Sequence, residues 1–160
     1  MGQILSLDQM RDERARLRAA GRRLVMTNGV FDLLHIGHTR YLAQARALGE
    51  ALVVAVNDDR SVAVLKGLQR PILPLAERLE LVAALVAVDY ALPFSEDTAA
   101  AVVQMLQPDM YVKGGDYTTK ALPEAQVVAA YGGEVRLLPM TPARSTSDII
   151  RAIQSGTRLS

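Results

Sequence analysis

Five short apolar runs recur along the chain at intervals that leave room for a helix between them. They are Leu24 to Thr27, Ala51 to Val56, Tyr90 to Leu92, Met110 to Val112 and Glu134 to Leu138. As a set they are too short and too apolar for a sheet with one solvent-exposed face. Such runs are typical of strands that are buried on both faces of a sheet. The pattern predicts five strands of a parallel sheet connected by helices.

Helix signals lie between these runs and near both ends. Ser6 followed by Gln9 is typical of a capping box and Gly21 of a left-handed helix end, so the first helix is predicted from Ser6 to Gly21. Three further helices are predicted from about His38 to Leu48, from Leu75 to about Ala87 and from Thr98 to Leu106, the first of them ended by Gly49. A last helix is predicted to begin at Ser145 to Ser147, because Ser145 and Asp148 form a second capping pattern.

These elements predict an α/β fold, a doubly wound five-stranded parallel sheet of the Rossmann-like kind, formed as a single domain over residues 1–160. The stretch from Gly67 to Pro74, with two prolines, is the best candidate for a mobile loop.

Composition narrows the possible functions. The net charge of +1 and the aromatic content of 4% give neither a basic surface nor stacking platforms for a long nucleic acid, so we expect no nucleic-acid partner. The absence of cysteine excludes disulfides and thiolate catalysis. The N-terminus becomes charged too early for a secretory signal, and no apolar run approaches the roughly 18 residues of a membrane span. We therefore expect a soluble cytoplasmic protein without a membrane partner.

The loop after the first predicted strand, TNGVFDLLHIGH at 27–38, contains both histidines of the chain. His35 and His38 flank Gly37 at a predicted helix N-terminus, where backbone amides and the helix dipole favour a phosphate. Imidazoles there can donate hydrogen bonds to oxygens that gain charge during a reaction. The alternative is that one histidine caps the helix and the other packs. A zinc site would need a third ligand, and the only nearby carboxylate is Asp32, so we predict no resident metal.

Three further segments lie at the same predicted edge of the sheet. In open α/β sheets, ligands bind beyond the carboxyl ends of the strands where the strand order reverses. A glycine pair, Gly114 and Gly115, allows close backbone approach after the fourth predicted strand, although such a pair is more often a simple turn. The turn at Ser145 to Ser147 offers hydroxyls and free amides to an anion, or is only a capping box. With the loop after the second strand, we expect these segments to form one cradle for a triphosphate.

The segment 27–38 resembles the signature of the HxGH nucleotidyltransferase superfamily. Further motifs follow in order: NDD at 57–59, LKG at 65–67, RPI at 70–72, ERLELVAAL from Glu77, KGGDY at 113–117 and RSTS at 144–147. Together they resemble the heptose 1-phosphate adenylyltransferases of the ADP-heptose pathway of Gram-negative cell envelopes, without the sugar kinase to which some are fused. The resemblance implies a mononucleotide-binding fold, ATP as donor, magnesium as its counter-ion, and direct attack of a sugar phosphate on the α-phosphorus.

The resemblance also implies site residues. His35, His38, Lys66 and Arg144 would be catalytic, with the histidines holding the triphosphate and Lys66 neutralising phosphates from a flexible loop. The nucleotide-binding residues would be Asn28, Gly29, Val30, Phe31, Asp32, His35, Gly37, His38, Lys113, Gly114, Gly115, Asp116, Arg144, Ser145, Thr146 and Ser147. The residues that bind the sugar phosphate would be Asp32, Asn57, Lys66 and Lys113. Asp32 could instead only stabilise its turn, and Arg78 is more often an ion-pair partner than a ligand.

Two other functions stay open. A cytidylyltransferase acting on a polyol phosphate such as glycerol 3-phosphate shares the histidine loop, but it carries an Arg-Thr pair where this chain has Met140 and Thr141, and Arg144 here directly precedes Ser145. A nucleotide-binding domain without turnover is the second alternative. FAD synthetase and pantetheine-phosphate adenylyltransferase are weaker options. Because relatives often pair, we expect a homo-oligomer, with a dimer favoured.

Overall fold

The computed structural model describes residues 1–115, 122–139 and 145–158. Within them the strands are β1 (Gln3–Ile4), β2 (Leu24–Gly29), β3 (Ala51–Asn57), β4 (Tyr90–Phe94), β5 (Met110–Gly114) and β6 (Glu134–Leu138). The helices are α1 (Leu7–Ala19), α2 (Ile36–Arg46), α3 (Asp59–Lys66), α4 (Leu75–Ala83), α5 (Ala100–Leu106), α6 (Pro123–Ala130) and α7 (Thr146–Ser155).

All the strands form one parallel sheet in the order β1-β4-β3-β2-β5-β6. From β2 the chain proceeds outwards through β3 and β4, which lies beside the edge strand β1, and then crosses back to place β5 and β6 on the other side of β2. The strand order therefore reverses between β2 and β5, where Val25 pairs with Met110 and Met26 with Tyr111. In open α/β sheets this is the place where a crevice for ligands forms.

Apolar side chains cover both faces of the sheet. One core cluster joins the sheet to α1, α5 and α6 through residues such as Met10, Val102 and Val128. The other joins it to α2 and α4 through residues such as Leu42 and Val82. Every residue of β3 is buried, as expected of a central strand with helices on each side. The α/β, doubly wound arrangement predicted from the sequence is confirmed.

The predicted number of strands is wrong by one, because β1 adds an edge strand of two residues beside β4. Two residues carry no periodicity, so no apolar pattern marks them. Two helices were also missed: α3, which Asp58 caps through its side chain, and α6, which begins with proline. The predicted helix through Ala87 ends earlier, at Ala83, and the predicted start at His38 moves to Ile36.

None of the helices in the described part of the chain combines the length and apolar character needed to cross a lipid bilayer.

Candidate nucleotide-binding site

A cavity of about 580 Å³ opens at the carboxyl edge of the sheet, around the point where the strand order reverses. All four segments that the sequence predicts for the cradle contribute to its wall. The lining residues from these segments are Asn28, Gly29, Val30, Phe31, Asp32, His35, Gly37, His38, Asn57, Lys113, Gly114, Ser145, Thr146 and Ser147. The predicted convergence of sequence-distant loops is therefore confirmed.

The loop between β2 and α2 fixes the orientation of His35. His35 is the N-cap of α2, and its Nδ1 accepts a hydrogen bond of 3.1 Å from the amide of Gly37. Since Nδ1 is an acceptor, the proton of the neutral ring resides on Nε2. Nε2 is thus the atom with which His35 can donate to a ligand. The capping role that the sequence left as an alternative is real, and it coexists with a place on the cavity wall.

His38 packs against His35 and Phe31, and we call His35 and His38 the histidine pair. The two imidazoles stack with centroids 3.9 Å apart, and the ring of Phe31 lies 5.2 Å from that of His38. Burial, and then the charge of the neighbouring His35, lowers the pKa of His38 to about 4. Burial also lowers the pKa of His35, although the carboxylate of Asp148 opposes this. Both shifts favour the neutral form of the ring at pH 7, in which each imidazole can donate one hydrogen bond.

One ring nitrogen of the histidine pair makes no hydrogen bond to the described residues. Nδ1 of His38 is buried and has no hydrogen-bond partner within the described residues. Buried polar atoms are normally paired, and exceptions are concentrated at sites that bind or react. This feature favours a functional role over simple packing for His38.

The N-terminus of α7 lies beside the histidine loop. Ser145 caps the helix, with its hydroxyl accepting from the amide of Asp148 and donating to the Asp148 carboxylate. The hydroxyl of Thr146 donates to the carbonyl of Leu33 at 3.1 Å, which joins the two segments directly. Hydrogen bonds from Ser145 and Arg151 lower the pKa of Asp148 to about 2. The N-terminus of α7 and the histidine pair line the same cavity, and a helix N-terminus is a setting that favours an anion.

Lys113 supplies a cation next to this volume. Its Nζ donates to the side-chain oxygen of Asn28 at 2.7 Å, and the hydroxyl of Tyr111 donates to the same oxygen at 2.6 Å. Burial lowers the pKa of Lys113, while the negative charge of Glu124 opposes that shift. The bond joins the end of β5 to the end of β2 across the reversal point.

Asp32 lies on the cavity wall, but its carboxylate is already occupied. It accepts from Arg70 Nε at 2.6 Å and from the amides of Ile72 and Leu73 at 2.9 and 3.0 Å. Burial by itself would raise the pKa of Asp32, but these hydrogen bonds and the charge of Arg70 hold it below the usual value. This geometry favours the turn-stabilising interpretation of Asp32 over a direct ligand. It also ties down residues 70–73 of the predicted mobile loop.

Arg78 completes this buried arrangement, and we call Asp32, Arg70, Arg78 and Asp59 the arginine network. The guanidinium of Arg78 is fully buried and donates to the carbonyls of Leu73 and Val30 and to the carboxylate of Asp59, at 3.0, 2.6 and 2.7 Å. The prediction that Arg78 is an ion-pair partner is confirmed. Its bonds connect the histidine loop to α3 and α4.

Lys66 and Asn57 also line the cavity, but their settings differ. Lys66 is exposed and is the last residue of α3, so it projects from a helix end and not from the flexible loop that the resemblance implies. Asn57 is buried at the end of β3, where its amide donates to the hydroxyl of Ser61 at 3.3 Å. Both positions are compatible with the predicted contact to a sugar phosphate, which stays a prediction.

Three predicted site residues are not among the described residues that line the cavity. Asp116 and Arg144 lie outside the described residues. Gly115 is described, and its φ of 123° is a conformation that favours glycine, but it does not line the cavity.

Several lining residues were missed by the sequence interpretation, namely Tyr41, Leu65, Arg70, Asp97, Thr98, Leu122, Pro123 and Glu124. Arg70 carried a signal, because it belongs to the RPI motif directly before the turn. Glu124 carried none, since it lies in the first turn of the unpredicted helix α6, where its carboxylate accepts from the amide of Ala99 at 3.0 Å.

Within the described residues, no group of three or more His, Asp or Glu side chains is arranged to hold a metal ion. Magnesium commonly binds through substrate phosphates, retaining several waters and one or two carboxylates. The carboxylate of Asp97 lines the cavity and has no hydrogen-bond partner among the described residues, so it fits that kind of contact better than the saturated carboxylate of Asp32.

Comparison with known proteins places this geometry in a family. Over 138 residues the chain is 56% identical to the bifunctional protein HldE of Halorhodospira halophila, an alignment that covers 86% of this chain and 29% of that protein. It is 46% identical to the protein of the same name from Edwardsiella ictaluri, over 96% of this chain and 32% of that one. The chain therefore spans less than a third of the length of these curated relatives.

Solved structures show the same fold. A crystal structure of the lipopolysaccharide core biosynthesis protein from Thermoplasma volcanium is 31% identical, with a TM-score of 0.61 over 76% of this chain and 98% of that one. Pantothenate synthetase from Thermus thermophilus matches with a TM-score of 0.65 over 92% of this chain and 67% of that one, and at 16% identity this likeness concerns the fold alone. A family model described as cytidylyltransferase-like matches residues 26–152, which include every segment of the cavity wall, and the chain belongs to that family.

Proposed function

We propose that the protein transfers AMP from ATP to a sugar 1-phosphate, D-glycero-β-D-manno-heptose 1-phosphate, forming ADP-heptose and pyrophosphate for the synthesis of surface glycans such as the lipopolysaccharide core. The similarity to the HldE proteins and to a lipopolysaccharide core biosynthesis protein supports the choice of substrate. The observation that carries the reaction type is the meeting of the histidine pair, Lys113 and the α7 N-terminus around one cavity.

The chemistry follows from this set of groups. An oxygen of the sugar phosphate attacks the α-phosphorus, the bond from that phosphorus to the bridging oxygen of the β-phosphate breaks, and pyrophosphate leaves with the electron pair. Such a transfer needs positioning and charge stabilisation and no nucleophilic side chain. Nε2 of His35 and the amides of α7 are donors of this kind, already held in place by Gly37 and by the Ser145 cap.

Magnesium is proposed to enter with ATP. Bound to the triphosphate, it supplies charge neutralisation of the phosphate oxygens. The side chains of the cavity would hold it through few direct contacts, with Asp97 as the candidate carboxylate.

Pyrophosphate release tests the proposal. The protein is incubated with magnesium and each pairing of ATP or CTP with heptose 1-phosphate or glycerol 3-phosphate. We expect release with ATP and heptose 1-phosphate at a kcat/KM at least about tenfold above every other pairing, on the scale set by hydrogen-bonded discrimination. Preferred use of CTP with glycerol 3-phosphate would establish the cytidylyltransferase instead. ATP binding without release for any acceptor would establish a non-catalytic nucleotide-binding domain.

The predicted homodimer and the cytoplasmic location stay proposals. Leu81 and Val86 at and beyond α4 are 42% and 102% exposed, which supports an apolar contact between copies. Sedimentation velocity of the protein and of a Val86→Glu variant tests it, with a smaller species expected for the variant.

A further inference from the structure

Arg70 is a cation on the cavity wall that has no role yet in the proposed reaction. Its side chain is 15% exposed, and its Nε donates to Asp32, whose side chain is fully buried, at 2.6 Å. In the described part of the chain neither Nη atom has a hydrogen-bond acceptor. Both Nη atoms keep some contact with solvent. Asp32 therefore fixes the plane of the guanidinium and leaves two of its donor atoms for the cavity.

The proposed reaction brings two anions together, so the cavity needs cationic groups for each. The α7 N-terminus is joined to the histidine loop at Leu33 and lies near His35, which accounts for one phosphate-binding side. Arg70 follows α3, which comes after β3, whereas α7 comes after β6, and β3 and β6 lie on opposite sides of β2 in the sheet. Arg70 therefore reaches the histidine loop from the β3 side, at Asp32, whereas the α7 N-terminus reaches it from the β6 side, at Leu33.

Lys66 reinforces the charge on the side of Arg70. It is exposed at the end of α3, four residues before Arg70, and lines the same cavity. A guanidinium with a fixed plane matches two oxygens of a phosphate, and a lysine adds a mobile point charge.

We infer that Arg70 binds the phosphate group of the sugar phosphate acceptor, with Lys66 as a second contact, and thereby selects phosphorylated over unphosphorylated sugars. This inference rests on the proposed function. Arg70 gives up no proton in the step, because its role is to hold the attacking phosphate against the repulsion of the triphosphate. Asp32 is then a positioning residue that acts through Arg70.

Kinetics of Arg70→Gln and Arg70→Lys test the inference, with KM and kcat determined separately for heptose 1-phosphate and for ATP. Glutamine retains a donor for Asp32 but removes the charge, and lysine retains the charge but removes the planar fork. We expect the KM for heptose 1-phosphate to rise about 30-fold or more for Arg70→Gln and by an intermediate factor for Arg70→Lys, in line with losing a charge-assisted bidentate contact. The KM for ATP should change less than about threefold.

Arg16→Gln, which removes an exposed arginine of α1, is the matched control and should leave both KM values unchanged. Thermal unfolding of Arg70→Gln separates loss of the fold from loss of the contact. An unchanged KM for heptose 1-phosphate, or equal increases for both substrates, would overturn the inference.

A binding measurement keeps the two proposals distinguishable. Calorimetric titration of heptose 1-phosphate into the protein saturated with α,β-methylene-ATP and magnesium does not depend on turnover. Wild-type binding that Arg70→Gln weakens at least about tenfold supports the inference even if no pyrophosphate is ever released, which would sink the proposed function alone. Equal binding by both proteins, or no binding by wild type, would sink the inference.

Discussion

The arginine network and the histidine pair meet at the loop between β2 and α2, where Asp32 belongs to the network and His35 caps α2, yet their polar atoms are used in opposite ways. In the network, the carboxylate of Asp32 accepts from three donors, and every nitrogen of the Arg78 guanidinium donates to a protein oxygen. In the pair, Nδ1 of His38 has no partner in the described residues. Satisfied buried groups hold a loop in place, whereas an unsatisfied buried group is a feature that calls for a functional explanation.

Arg70 is a member of the network that shares one property with the pair: its Nε is bonded to Asp32, whereas its two Nη atoms have no acceptor in the described residues. A single side chain can thus contain both bonded and unbonded polar atoms. The comparison predicts that changes in the network lower stability first, and that changes in the pair lower turnover first.

The largest expected effect is on stability, for Arg78→Met. Methionine removes all three hydrogen bonds and leaves the carbonyls of Leu73 and Val30 and the carboxylate of Asp59 without this donor. The free energy of unfolding should fall by about 3 kcal/mol, because two partly buried carbonyls lose their donor and the half-exposed Asp59 loses its ion pair. Urea denaturation measures it. The control Arg16→Met, at an exposed arginine, should stay within about 0.5 kcal/mol of wild type. A loss below about 1 kcal/mol for Arg78→Met would show that the network is not the scaffold.

Turnover is the quantity that the histidine pair should control. His35→Ala and His38→Ala should each lower kcat by roughly 100-fold or more, because each removes one preorganised donor to the reacting phosphates. Pyrophosphate release at saturating substrates measures this. Gln44→Ala, at an exposed position of the same helix, is the control and should leave kcat unchanged. Full activity in both histidine variants would remove the pair from the mechanism.

Acid should destabilise the protein through His38. Its pKa is about 4 in the folded chain and 6.5 in the ordinary case, so between these values the unfolded chain binds more protons. The contribution of His38 to the free energy of unfolding is therefore fully present above about pH 6.5, and it is lost as the pH falls towards 4. From pH 7.5 to 5 this histidine should contribute a loss of about 2 kcal/mol, measured by urea denaturation at each pH. The same pH change in His38→Gln should lack this contribution, and an identical loss in both proteins would contradict the shifted pKa.

The sequence was sufficient to predict the fold class and the position of the site. Buried parallel strands leave long apolar runs such as Ala51 to Val56, and the carboxyl ends of such strands meet at one edge. Conversely, β1 was missed because two edge residues have no periodicity, and α6 because its N-cap, Leu122, makes no side-chain capping bond.

Roles within the site were harder to predict than its location. A sequence shows that Asp32 is near the cavity but not that Ile72 and Leu73, some forty residues later, saturate its carboxylate. Arg70 was overlooked for the same reason, since its donors become meaningful only when Asp32 is known to hold one of them. Such partners are set by tertiary contacts, to which local patterns are blind.

The smallest predicted effect concerns Ser145 at the N-terminus of α7. It shows whether this helix end behaves like the saturated arginine network or like the histidine pair. Its hydroxyl is already bonded to Asp148 in both directions, so as placed it resembles the saturated network more than the histidine pair. Ser145→Ala should cost about 1 kcal/mol of unfolding free energy through the lost cap, and Ser145→Asn, which can still cap, should restore most of it. Affinity for α,β-methylene-ATP, measured by calorimetry, should fall less than about threefold in either variant, because the helix amides and not the hydroxyl meet the phosphates. A tenfold or greater loss of affinity for α,β-methylene-ATP in Ser145→Ala would mean that the hydroxyl leaves Asp148 when the nucleotide binds. Ser145 would then contact the ligand directly, as is proposed for the histidine pair.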